Sequence, residues 1–231
     1  MNSLVKHISR IRDEFDTVIC GVNGVITDGQ NIFGESTDAL IKLYQSGKKI
    51  ALASNSGLRV QELFTALKHS GVPMNIFYAL ITAGEIAHFY LKNQKNIGTT
   101  YYSLLSQGSH TLSGLPYEKV DSVVMADFLI AEQSIKHADI KEFMPVLEQA
   151  VNLNLPLLCV GNDTSVQTAG GVKPAAGAAA EQYALMGGKI ISFGKPDLRI
   201  ALYLTESLPD FDVSRCLFIG DNMATDMRLS N

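Results

Sequence analysis

Four short segments of this 231-residue chain pair groups that can hold a phosphate with groups that can hold a cation. Val18-Ile19-Cys20-Gly21-Val22-Asn23-Gly24 is an apolar run that stops at a glycine and turns. Leu52-Ala53-Ser54-Asn55-Ser56-Gly57 ends a second run in hydroxyls and an amide. Phe193-Gly194-Lys195-Pro196-Asp197 places a lysine at the end of a third. Phe218-Ile219-Gly220-Asp221-Asn222-Met223-Ala224-Thr225-Asp226 follows a fourth with two carboxylates five apart. Each has a plainer reading alone: a helix cap at Ser54, a turn at Lys195, a cap at Asp221. Together they supply donors for a phosphate, a cation to balance it and carboxylates for Mg²⁺. Phosphoryl transfer asks for that set, because its catalysis is mainly positioning and charge neutralisation, and Mg²⁺ takes one or two carboxylates, waters and phosphate oxygens.

The elements that must position these groups are legible as alternation. Apolar, β-rich runs lie at 17–20, 49–53, 76–81, 99–105, 127–131, 156–160, 189–193 and 215–219. Helical spacing of apolar residues marks 37–46, 59–70, 140–152 and 198–207, the first two stopped by Gly47 and by Gly71-Val72-Pro73. Strand–helix alternation predicts an α/β fold with a parallel sheet covered by helices, and such sheets bind ligands at the carboxyl ends of their strands. Two stretches differ in texture: 94–116 is rich in Ser, Gly, Thr and Tyr, and 169–180 in Gly and Ala. Both are expected to be edges or loops of an inserted unit.

Composition narrows the function classes. With 46% hydrophobic and 18% charged residues the chain can bury a core. Its formal charge of −4, with no basic run, argues against nucleic acid. Cys20, Cys159 and Cys216 sit singly in apolar runs, as buried thiols of a reducing compartment do. Apolar residues from Leu4 to Phe15 recur at helical spacing among charges, unlike a signal peptide, and no stretch approaches a membrane span. A soluble, cytoplasmic chain is expected. His7, His69, His88, His110 and His137 show no metal-ligand spacing.

The order and spacing of the four segments resemble the haloacid dehalogenase superfamily in its class IIA branch, which includes phosphatases of sugar phosphates, nucleotides and phosphoglycolate. The resemblance implies a Rossmann-like core, residues 1–84 and 189–231, with an α/β cap inserted at 85–188 and the Gly/Ala-rich stretch near the cap–core cleft. In active members the first motif reads Asp-x-Asp-Gly-Val, with a nucleophilic aspartate followed by an acid/base aspartate. Here those positions are Gly21 and Asn23, while Gly24 and Val25 match. By analogy with a serine hydrolase, losing the nucleophile costs roughly a millionfold in rate, or about 8 kcal/mol. Neither Asp28, past the strand tip, nor Asp16, at the opposite end, is placed to replace it.

For the remaining positions, the resemblance gives Ser54 and Asn55 a phosphate-binding role. Lys195 becomes the neutralising cation, with Asp221 its natural partner once position 21 is empty. It makes Asp221 and the backbone carbonyl of Asn23 ligands of Mg²⁺, with Asp226 behind them orienting the loop and accepting backbone or lysine hydrogen bonds. Asp163, in Gly161-Asn162-Asp163, matches the last residue of the family's Asn-Pro-Asp and would contact substrate. Mg²⁺ affinity is expected to be weakened or lost. The preferred reading is a phosphatase-like protein without its chemistry that binds a small phosphorylated metabolite. Its rivals are a Mg²⁺-dependent phosphohydrolase of sugar or nucleotide phosphates with residual activity, and a structural or interaction protein without a ligand. The sequence stops at Asn231, just past the fourth motif, where the family normally continues: either this is a truncated form, or the missing strand leaves an exposed edge that would invite pairing with another chain, as in a homo-oligomer.

Overall fold

The computed structural model describes residues 7–94, 96–104, 109–132, 139–168 and 171–230. In chain order the elements are β1 (Thr17–Cys20), α1 (Gly34–Gln45), β2 (Lys49–Ser54), α2 (Val60–His69), β3 (Phe77–Thr82), α3 (Ala83–Asn93), β4 (Thr100–Ser103), β5 (Glu118–Lys119), β6 (Phe128–Glu132), α4 (Met144–Asn152), β7 (Leu157–Val160), β8 (Ser165–Thr168), β9 (Gly171–Pro174), α5 (Ala176–Leu185), β10 (Ile190–Phe193), α6 (Leu198–Ser207), β11 (Cys216–Ile219) and α7 (Asp226–Leu229).

They form two parallel sheets, the core in the order β11-β1-β2-β3 and the cap in the order β10-β7-β6-β4-β5. β8 and β9 make a separate antiparallel hairpin. β10 pairs with β7 and so joins the cap sheet, just beyond the boundary expected at residue 188. Both sheets bury two faces, which is why their strands read as unbroken apolar runs. Along β1, Val18 and Cys20 pack with Leu40, Leu43, Leu63 and Leu67 of α1 and α2, while Ile19 packs with Ile200 and Leu204 of α6. Along β6, Leu129 and Ala131 face Leu147 and Ala179 of α4 and α5, and Phe128 and Ile130 face Ala87 and Leu91 of α3. Each fully buried Leu or Ile contributes about 1.5–3 kcal/mol over its exposed state.

Two helices depart from the sequence expectation. The Gly/Ala-rich stretch holds strand β9 and then the first half of helix α5, whose Ala176, Ala179, Ala180 and Tyr183 are buried. Alanine is the best helix former, but an Ala run has no polar–apolar period to show its face. α3 is the second: Thr82 caps it by accepting from the Glu85 N–H at 2.9 Å, and Gly84 lets it approach the second-motif loop, since a Cβ there would stand 2.1 Å from the Gly57 carbonyl oxygen. Residues 105–108 and 169–170, within the expected strand and loop stretches, lie outside the described residues, as does His137. No helix among the described residues is long and apolar enough to cross a membrane.

Candidate functional site

The carboxyl ends of β1, β2 and β11 from the core, and of β7 and β10 from the cap, open into one cleft. It has a volume of about 290 Å³ and is lined by Asn23, Ser54, Asn55, Asp163, Lys195 and Asp221, among others. The structure brings all the sequence-derived site positions to this place.

β1 delivers Gly21, whose N–H donates to the Ile219 carbonyl at 2.8 Å and extends the ladder one residue past the strand. The chain then folds over itself. The Val22 carbonyl accepts from Ile26 N–H at 2.8 Å and Thr27 N–H at 3.2 Å, and Gly24 N–H donates to Thr27 at 2.8 Å. Val22 and Asn23 both line the cleft, and their N–H groups have no hydrogen-bond acceptor among the described residues. Gly24 has φ +78, and a Cβ there would stand 1.9 Å from Asp221 Oδ2, so glycine is required where the Asp221 carboxylate lies over the turn. Gly21 has an ordinary backbone. A Cβ there would meet Asp226 Oδ1 at 3.3 Å, Val25 Cγ2 at 3.5 Å and the Ile219 oxygen at 3.6 Å. A side chain at position 21 is therefore tight, and an aspartate there requires the Asp226 carboxylate to yield by a few tenths of an ångström.

Ser54 and Asn55 end β2 and are buried. They do not cap α2, which begins at Val60 behind Arg59. The Ser54 hydroxyl instead accepts from Ser56 N–H at 3.1 Å, leaving its own proton to donate. The Asn55 amide is fixed from both sides: Oδ1 accepts from Lys195 N–H at 2.7 Å, and Nδ2 donates to Asp163 Oδ2 at 3.1 Å. Gly194, φ +103, permits this approach, because a Cβ there would lie 2.6 Å from Asn55 Oδ1.

Lys195 is buried and donates from Nζ to Asp226 Oδ1 at 2.6 Å. Its partner is thus Asp226, which the sequence offered as an acceptor of backbone or lysine hydrogen bonds, and not Asp221. Two glycines explain the difference. A Cβ at Gly220 would stand 2.2 Å from Asp226 Cβ, and the bare Gly21 leaves Asp226 Oδ1 unobstructed, whereas Asp221 is turned over Gly24. Asp226 Oδ2 also accepts from Asn222 N–H at 3.2 Å, ordering the loop as the sequence suggested. Burial pushes the Asp221 carboxyl above the ordinary aspartate range, the nearby Asp226 and Asp163 charges add to this, and Lys195 opposes it.

Asp163 belongs to the cap but is held by core donors: Asn55 Nδ2 on Oδ2, and Asn222 Nδ2 at 2.8 Å and Thr225 Oγ1 at 2.9 Å on Oδ1. Asn222 was not singled out in the sequence. Thr225 was visible only as part of the Gly-Asp-x-x-x-Thr-Asp pattern. Asp28 lines the cleft, but its oxygens accept from the N–H groups of Gln30 at 2.8 Å and Asn31 at 2.7 Å and from Asn31 Nδ2 at 3.1 Å, which lowers its pKa. All three cysteines are free, and burial pushes the thiols of Cys20 and Cys159 up to about 12.

A Mg²⁺ ion is the group that these motifs imply. Among the described residues no three His, Cys, Asp or Glu side chains converge as a metal site. Asp226 is taken by Lys195 and Asn222, and Asp163 by three donors. That leaves the Asp221 carboxylate and the Asn23 carbonyl, which would hold Mg²⁺ only together with waters and the oxygens of a bound ligand.

The sequence profile of the haloacid dehalogenase-like hydrolases matches residues 18–113. A haloacid dehalogenase-like hydrolase from Brucella suis superposes with a TM-score of 0.87 at 25% identity, covering 98% of this chain and 85% of that one. A possible sugar phosphatase of the same superfamily from Cytophaga hutchinsonii gives 0.78 at 17% identity, with 99% and 85% covered. The p-nitrophenyl phosphatase of Archaeoglobus fulgidus gives 0.66 at 20%, with 94% and 82% covered. No curated protein matches the chain. The profile over residues 18–113 and the superpositions show that this chain is similar to haloacid dehalogenase-like hydrolases and shares their fold, with the four strand-end motifs gathered at its cleft.

Proposed function

We propose that this chain binds a small phosphorylated molecule in the cleft and does not hydrolyse it through a covalent intermediate. One observation carries the reading: the tip of β1, where the family's nucleophile would stand, is Gly21, and the cation that would serve a nucleophile there is bonded to Asp226. What remains suits an anion. Val22, Asn23, Ser54 and Lys195 line one small cavity, and backbone donors at a turn such as that of Val22 and Asn23 can form an anion-binding concavity. Asn23 carries an amide where a proton would have to be exchanged, so it can hold a ligand oxygen but cannot serve as acid or base. The family's Mg²⁺, when supplied by solution, would find Asp221 and the Asn23 carbonyl and would screen a phosphate from Asp221.

The test is an aryl phosphate assay with and without Mg²⁺, on this chain and on the Gly21→Asp/Asn23→Asp pair, alongside calorimetry with inorganic sulfate and phosphate. The expected outcome is saturable anion binding without turnover by this chain. Mg²⁺-dependent turnover well above the solution rate would overturn the reading, as would the absence of any saturable heat. The pair tests whether the frame still supports the chemistry once Asp226 yields to a side chain at position 21.

A further inference from the structure

The loop after β7 sits in the cap, yet it is anchored at both ends of its side-chain reach. On the cap side, Gly177 N–H at the start of α5 donates to the Asp163 carbonyl at 3.0 Å, and Ala175 N–H donates to Thr164 at 3.0 Å. Only glycine allows that contact, because a Cβ at Gly177 would stand 2.4 Å from the Asn162 carbonyl oxygen. On the core side the loop presses against the second motif: Gly161, φ +94, would put a Cβ 2.3 Å from the Asn55 carbonyl oxygen. The Asn162 amide donates to the carbonyls of Gly194 at 3.2 Å and Lys195 at 3.0 Å. The Asp163 carboxylate then spends three of its roughly four lone-pair directions on core donors: Asn55, Asn222 and Thr225.

We infer that Asp163 is a positioning residue that latches the cap onto the core and holds the second and fourth motifs in register. The carboxylate does this by geometry. Its Oδ2 fixes which way the Asn55 amide points, so that Asn55 Oδ1 meets the Lys195 N–H. Its Oδ1 gathers Asn222 and Thr225, the residues that flank Asp226 in the loop holding Lys195 Nζ. Hydrogen bonds to an ionised acceptor are roughly twice as strong as neutral ones, so one side chain can close a seam between two units. Asparagine, the same size, can accept at only one oxygen and would satisfy one side of the seam at a time.

Hydrogen exchange of the ligand-free protein tests this independently of the anion-binding reading. For Asp163→Ala, exchange should rise by about tenfold or more, as expected from losing charge-assisted bonds, in peptides covering 54–58, 161–165 and 222–226. β1 and the interior of β6 should keep wild-type protection. Asp163→Asn should fall between. From the opposite side, Asn222→Ala combined with Thr225→Val should reproduce the same local pattern, and this pair decides the matter if Asp163→Ala does not fold. Unchanged exchange in the three segments, or a uniform rise through β1 and β6, would overturn the latch.

Discussion

The ion pair between Lys195 and Asp226 is the consequence of a missing side chain. Both partners are buried, and a buried charge without a partner is costly, so the pair persists although no carboxylate occupies position 21. Removing one member should expose that cost. Asp226→Asn is expected to destabilise the protein by about 3 kcal/mol, read by urea denaturation, while sulfate binds more tightly because Lys195 is released. Unchanged stability and unchanged sulfate affinity would show the pair to be incidental. Gly21→Asp should behave differently. Its Cβ would stand 3.3 Å from Asp226 Oδ1, a tight contact that Asp226 must yield to while Lys195 is shared between two carboxylates, and the stability loss should be about 1–2 kcal/mol. A loss above about 3 kcal/mol would mean that the position has closed.

At the scale of elements, β6 ends in a group that the proposed function does not use. Glu132 is 4% exposed. Its Oε1 accepts from Ser109 Oγ at 2.8 Å and Thr111 N–H at 3.0 Å, but Oε2 is buried without a partner among the described residues. Burial raises its pKa, with the Thr111 and Ser109 hydrogen bonds opposing. A carboxylate whose folded pKa lies above the unfolded one contributes most below the unfolded value, and that contribution fades as pH rises through the folded value. Glu132→Gln keeps the Oε1 bonds and removes the charge. It should raise stability at pH 8 by about 1–2 kcal/mol and change it little near pH 4. Equal effects at both values would contradict a raised pKa.

The same scale shows what was readable beforehand. β1 and α6 occur where the apolar runs and helical spacing put them, and β2, β7 and β11 differ by a residue. Strands buried on both faces leave an unbroken apolar signature, which α5 and α3 lack. α5 is apolar nearly all round, and Gly84 and His88 interrupt α3. Among site residues, those carried by strand ends were legible because the strand fixes where they emerge. Asn222 was not, since nothing in sequence links it to Asp163 across 59 positions.

For the whole molecule, the cleft is a place where two units pool their charges. Asp28, Asp221 and Asp226 come from the core and Asp163 from the cap, against the single ammonium of Lys195. A dianion entering here meets an opposing field, reinforced by the chain's net charge of −4. Asp28, Asp163 and Asp226 are each held by donors, which leaves Asp221 as the carboxylate whose ionisation a ligand feels most. Its raised pKa, caused first by burial, means that it takes up a proton at higher pH than an ordinary aspartate. Sulfate keeps its charge throughout the accessible pH range, so its affinity reports the protein alone. Protonating Asp221 removes a like charge, and sulfate should bind more tightly, by up to about tenfold, as pH falls from 8 into the carboxylate range, up to one pKa unit's worth of interaction. Asp221→Asn should bind more tightly than wild type at pH 8, with the pH dependence flattened. If affinity falls on acidification, or if Asp221→Asn keeps the wild-type profile, the field in the cleft is set by another group.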